Sequence, residues 1–145
     1  MRRLTFFKTL AVLAIGAELL LAGAVAQAAG AVVIVGHASV RKLDLMTLRR
    51  IYTGKTVEVD GVRVAPVNAA PGLALRQRFL ADYLETPEDE YVAYWTVRRY
   101  VGKGTPPTDL RSAAEIADHV SRTPGAIGYL DEADVPRGMN VLLRR

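Results

Sequence analysis

Thr123-Pro124-Gly125-Ala126-Ile127-Gly128-Tyr129 decides the fold. Thr, Pro and Gly in succession turn the chain. The apolar run Ala126 to Leu130 that follows reads as a buried strand, closed by the polar loop Asp131 to Gly138. A second stretch, Ile51-Tyr52-Thr53-Gly54-Lys55, reads as the end of a helix running into a glycine stop. A buried strand after a tight turn and a glycine-stopped helix before it are parts of an α/β layer.

Working outward, Ala31 to Val35 is all apolar and ends at Gly36, the pattern of a strand buried on both faces. Asp44 caps a helix with Leu45, Leu48, Ile51 and Tyr52 on one side. Val57-Glu58-Val59 and Val62-Arg63-Val64 alternate around Asp60-Gly61, a dipeptide suited to a type I′ hairpin, and Ala65 to Val67 extends the second strand toward Asn68. Pro71-Gly72 opens a helix to about Leu84, with Leu75, Phe79, Leu80 and Tyr83 inward. Thr86 and Pro87 start another, with Pro87 at its first helical position. Its Glu88, Asp89 and Glu90 favour the positive end of the helix dipole. Gly102 to Pro107 is loop. Ser112 and Glu115 form a capping box for a helix through Val120, and Met139 to Leu143 adds a last strand. The expected architecture is α/β: a small mixed sheet with helices on both faces.

The N-terminus belongs to another category. Arg2, Arg3 and Lys8 precede the apolar runs Leu10 to Ala17 and Leu19 to Val25, and Ala26-Gln27-Ala28 is a small-x-small cleavage signal. That is the pattern of a secretory signal peptide over 1–28, with a domain over 29–145. The alternative is an uncleaved membrane anchor, at the short limit of length for one. Cleavage leaves 117 residues with 16 basic and 14 acidic side chains, a formal charge of +2 in place of +4. The remaining arginines alternate with carboxylates and form no basic run, which excludes a nucleic-acid partner. The chain has no cysteine, so disulfides, thiolate catalysis and zinc–thiolate sites are excluded. A lipid-modified N-terminal cysteine is excluded with them, and a Gram-negative periplasm is the expected destination.

Taken in order, Ile51 to Lys55, Pro66-Val67, Phe79, Trp95, Gly102-Lys103-Gly104 and Pro124 to Tyr129 resemble the second lobe of the phosphate-binding proteins of ABC transporters. The likeness covers about residues 43 to 130. It implies one lobe of a periplasmic-binding-protein-like fold, a small phosphate-like oxyanion as ligand and the membrane subunits of an ABC transporter as partners. In that family the strand ending in Pro-Val leads to an Arg and then Asp-Gly-Ser-Gly-Thr. This chain has Asn68-Ala69-Ala70-Pro71-Gly72-Leu73-Ala74 there, without the hydroxyls. Most of the other lobe is missing, which leaves a face open to a second lobe, a homodimer or an envelope or sensor protein.

Candidate ligand contacts follow from strand ends and helix starts. Asn68 to Arg76 is a loop at the carboxyl end of a strand entering a helix. Asn68, the amides of Gly72 and Leu73, and the charge of Arg76 are the expected contacts for an anion. The ordinary alternative is a solvated helix start. His37 and Ser39 follow the first strand and are placed at the same crevice, or else in a solvated loop. Thr53 and Lys55 stand near the mouth or merely complement the helix dipole. Tyr91, Tyr94, Trp95 and Tyr100 have core spacing; Trp95 is expected inside, Tyr91 nearer the surface, and His119 exposed. No nucleophile elbow, metal-binding histidine pair or Ser–His–Asp set is present, and Gly102-Lys103-Gly104 lacks a nucleotide-loop frame. The expectation is a binding protein without cofactor, metal or catalytic residues. The second expectation is an interaction module with no small ligand.

Overall fold

A computed structural model describes residues 30–145; the expected secretory segment lies outside them. Five strands form one mixed sheet in the order β5-β4-β6-β1-β7. β1 is Val32–Gly36, β4 Ala65–Ala69, β5 Thr108–Leu110, β6 Ala126–Asp131 and β7 Asn140–Arg144. β4 runs parallel to β5 and β6, whereas β1 is antiparallel to both its neighbours, β6 and β7. The stretch Ala126 to Leu130 occupies the centre, and every one of its residues is buried.

The turn before it explains why. Gly125 has φ +78, and a Cβ there would lie 2.0 Å from the carbonyl oxygen of Arg63. Only glycine fits that approach. It lets Ala65 N–H donate to Gly125 O at 2.9 Å, so β4 is stitched to the turn that launches β6.

Helices cover both faces. α1 (Leu45–Tyr52) and α2 (Ala74–Phe79) lie on the face of Tyr129, where Phe79 stacks on Tyr129 at 3.8 Å between ring centres and Tyr52 meets Phe79 at 4.7 Å. α4 (Ala113–Arg122) packs Ile116 and Val120 on the other face, where Gly128 leaves room for their methyls. α3 (Glu88–Tyr100) is tied to α2 through Glu88 and Arg76 and to the end of α1 through Tyr91 and Tyr94. A two-strand hairpin, β2 (Glu58–Val59) and β3 (Val62–Arg63), turns at Asp60 and Gly61, both with positive φ.

Local signals acted largely where they stood. Asp44 accepts Thr47 N–H at 2.7 Å, and that bond holds its carboxyl below the usual range. Ser112 accepts Glu115 N–H at 3.1 Å, but the returning carboxylate takes Arg111 N–H at 2.7 Å, one residue outside the cap.

Three expectations need correction, and one strand is new. β4 does not extend the hairpin strand; it leaves the hairpin at Val64 and joins the main sheet. β5 was unforeseen, because three residues after a proline pair carry no alternation. Pro87 is the cap of α3 and not its first residue, with ψ at 156°. The helix after Gly72 is α-helical only to Phe79; Leu80–Leu84 is a π-turn ending at Glu85 with φ +52. The wider turn keeps Leu80, Tyr83 and Leu84 all buried.

Candidate functional site

The carboxyl ends of β4 and β5, with the loop into α2, form the candidate site. Alternation along β4 turns Val67 toward α4 and Asn68 toward Tyr129. Asn68 is 1% exposed. Its amide oxygen accepts from Tyr129 Oη and its amide nitrogen donates to Tyr91 Oη, each at 3.3 Å. Tyr91 in turn donates to Tyr52 O at 3.2 Å, and Tyr129 Oη accepts Ala69 N–H at 2.9 Å. Asn68 is thus a hub among buried tyrosines and presents nothing to solvent. Burial pushes the phenols of Tyr52, Tyr91 and Tyr129 up; for Tyr91 and Tyr129 the donated hydrogen bonds oppose this only in part. Tyr91 is buried, against the expectation of a surface position, because its hydroxyl has these polar partners inside.

Among the described residues Arg76 is the other buried polar or charged side chain besides the tyrosines, 4% exposed. Glu88 grips it with two bonds, Nε to Oε2 at 2.8 Å and Nη2 to Oε1 at 2.7 Å. Nη1 donates to Asp109 Oδ1 at 2.8 Å and Ala69 O at 3.2 Å. Burial disfavours the guanidinium charge, but the two carboxylates outweigh it and hold the group above its ordinary value. One cation faces two anions, so the cluster carries formal charge −1. The expectation of Arg76 as a free charge for an anion is corrected: its donors are committed within the fold, and it is not solvated either.

Gly72 and Leu73 stand at the rim, both exposed, and Leu73 caps α2 without a side-chain bond. The neighbouring amides of Ala69 and Ala70 are taken by Tyr129 Oη and Leu110 O. Next to the rim is a hollow of about 240 Å³ lined by Asn68, Arg76, Tyr91, Trp95, Arg99 and Asp109 among others.

His37 and Ser39 are elsewhere. β1 opposes β6 and β6 parallels β4, so the carboxyl end of β1 meets the amino end of β4. Ser39 Oγ accepts Gly125 N–H at 3.1 Å and bonds His37 Nδ1 at 2.8 Å. These residues tie the β1 exit to the turn before β6, a strand's length from Asn68. The expected shared crevice does not form. Thr53 and Lys55 end α1, where Tyr94 Oη donates to Thr53 O at 2.7 Å. His119 is half-buried.

Glu88 and Asp109 are the residues that sequence reasoning missed. Glu88 was legible as a helix-start carboxylate but not as the Arg76 clamp. Asp109 lies on the unforeseen β5. Among the described residues no group of His, Asp and Glu has metal-binding geometry, and no helix is long and apolar enough to cross a membrane.

No protein-family model matches the chain, and no curated protein matches it. Among solved structures it is similar to an ABC-type phosphate transport receptor from Vibrio cholerae, with a TM-score of 0.61 at 18% identity. The likeness covers 77% of this chain and 45% of the receptor, so the chain spans less than half of that protein's length. The fold is that of one lobe of a periplasmic-binding-protein-like architecture.

Proposed function

We propose that the chain is an exported, single-lobe relative of the solute-binding proteins that works as a docking module in the periplasm and not as a receptor for free phosphate. The observation that carries this is the commitment of Arg76 to Glu88 and Asp109. At the carboxyl end of β4 an anion receptor needs unpaired donors, and here a surplus carboxylate stands instead. The exposed rim Pro71 to Ala74 offers contact surface for a protein partner. Membrane subunits of an ABC transporter or a second lobe are partners of the kind the fold class implies.

The second reading is a small oxyanion held at the rim by the Gly72 amide, favoured by the open space there: a Cβ on Gly72 would meet nothing within 4 Å, whereas Leu73 N–H already donates to Ala70 O at 3.3 Å. Titration calorimetry with phosphate, sulfate and small carboxylates separates the two. No saturable heat is expected with any of them. Saturable binding that disappears in Gly72→Val overturns the docking reading in favour of the oxyanion. Arg76→Gln is expected to lower stability by about 2 kcal/mol, since it removes the bonds that the buried guanidinium makes to Glu88, Asp109 and Ala69 O. If that variant loses anion affinity while its melting is unchanged, Arg76 is a ligand contact after all.

A further inference from the structure

α3 has two unlike faces. Inward, Tyr91 and Trp95 are buried and Tyr94 and Arg98 half-buried. Outward, at offsets of 4, 7, 8 and 11 from Asp89, run Ala93, Thr96, Val97 and Tyr100, which share one side of a helix. Val92 and Arg99 flank the stripe. Val97 is 62% and Tyr100 91% exposed. A solvated helix face carries charge along its length. This one is small or apolar in the middle and charged only at its ends, with Glu88, Asp89 and Glu90 first and Arg98 and Arg99 last. Among the described residues, neither Asp89 nor Arg99 is in a salt bridge.

We infer that this outer face of α3 is a self-association surface whose occupant is the α3 of a second copy, packed antiparallel about a twofold axis. Charge complementarity selects that occupant. The face asks for a partner that is basic opposite Asp89, acidic opposite Arg99 and apolar between, and an antiparallel copy of α3 is all three. With the axis level with residue 95, Ala93 faces Val97 of the second copy, and the small Ala93 and Thr96 permit close approach. Asp89 lies six residues before the axis and Arg99 four residues after it. At about 1.5 Å per residue they meet within roughly 3 Å along the helix. A twofold perpendicular to the helices keeps each edge on its own side, so the Asp89–Arg99 pair forms twice. The two helix dipoles also oppose. One helix pair is a small interface, so the association is reversible and salt-sensitive. This inference does not rest on the reading of the β4 rim.

The cysteine-free chain allows a direct test. Thr96 sits one residue from the axis and meets its own copy. Full-length Thr96→Cys, oxidised and run without reductant, is expected to give a covalent dimer, whereas Ser121→Cys on α4 is not. Adding Arg99→Asp to Thr96→Cys is expected to cut dimer yield about tenfold by setting like charges together. Adding Asp89→Arg as well restores it. All four residues are exposed, so folding is not at stake, and the N-terminal segment is common to every variant. Equal cross-linking at positions 96 and 121, or a double charge swap that restores nothing, overturns the inference. Cross-linking of position 96 only to a different protein overturns it too.

Discussion

The ends of α1 and α3 are written in the same letters and finish in different worlds. Both read Tyr-x-Gly-Lys: Tyr52 to Lys55 and Tyr100 to Lys103. Their backbones match bond for bond. Lys55 N–H reaches Arg50 O and Lys103 N–H reaches Arg98 O, each at 2.8 Å; Gly54 and Gly102 donate three residues back at 3.0 and 3.1 Å. The glycines have φ +70 and +74, the left-handed cap that satisfies the last carbonyls. Yet Tyr52 is 0% exposed and Tyr100 91%. A local signature specifies a cap. What packs over the cap is settled elsewhere, and here α3 itself, through Trp95, covers the end of α1 and leaves its own end bare.

Alkaline pH breaks the comparison most. Burial raises the phenols of Tyr52, Tyr83, Tyr91 and Tyr129. Their folded values exceed the unfolded value of about 10. The stability they lend is therefore whole below pH 10 and lost as pH rises through the folded values. Phenolate absorbance of these rings is expected to appear together with loss of the near-ultraviolet circular dichroism of the fold; appearance in an intact fold contradicts their burial.

Truncation comes next. Tyr52→Ala removes a ring packed on Phe79 and a bond to Val67 O at 2.9 Å, and is expected to cost about 4 kcal/mol in denaturant melts. Tyr100→Ala is expected to stay within about 0.5 kcal/mol in dilute solution. Gly54→Ala and Gly102→Ala then separate cap strain from crowding. Each places a Cβ at positive φ, for about 1–2 kcal/mol. At Gly54 that Cβ also meets Trp95 at 2.7 Å, while at Gly102 nothing lies within 4 Å. The first variant is therefore expected to lose about 1 kcal/mol more than the second; equal losses show that Trp95 yields freely. Arg98 joins both caps: Nη2 donates to Gly54 O at 3.3 Å and Lys103 O at 3.2 Å. Arg98→Ala is expected to cost about 1 kcal/mol, with faster amide exchange at both Lys55 and Lys103.

Much of the fold was legible for the same reason that the caps were. Asp44, Asp60-Gly61, Ser112 and the Thr123 to Gly125 turn act on the neighbouring backbone, within four residues. The inward positions Leu48, Phe79, Tyr83 and Trp95 followed from helical spacing. Strand β5 escaped because three residues hold no period. The candidate site was the less legible part. Asn68 and Arg76 were found, but their partners lie far along the chain: Tyr129 is 61 residues from Asn68 and Asp109 is 33 from Arg76. His37 and Ser39 would share that crevice only if β1 ran parallel to β4, and strand direction is not written in a strand's own residues.

The sequence by itself determined where the chain turns, caps and buries its apolar runs, because those outcomes depend on side chains and backbone close together. Only the tertiary structure decided which strand ends share an edge, that Arg76 meets two carboxylates in place of a ligand, and that one Tyr-x-Gly-Lys cap is covered while the other faces water. Each of these depends on pairings between distant segments, whose free energy exists only once the sheet has brought them together.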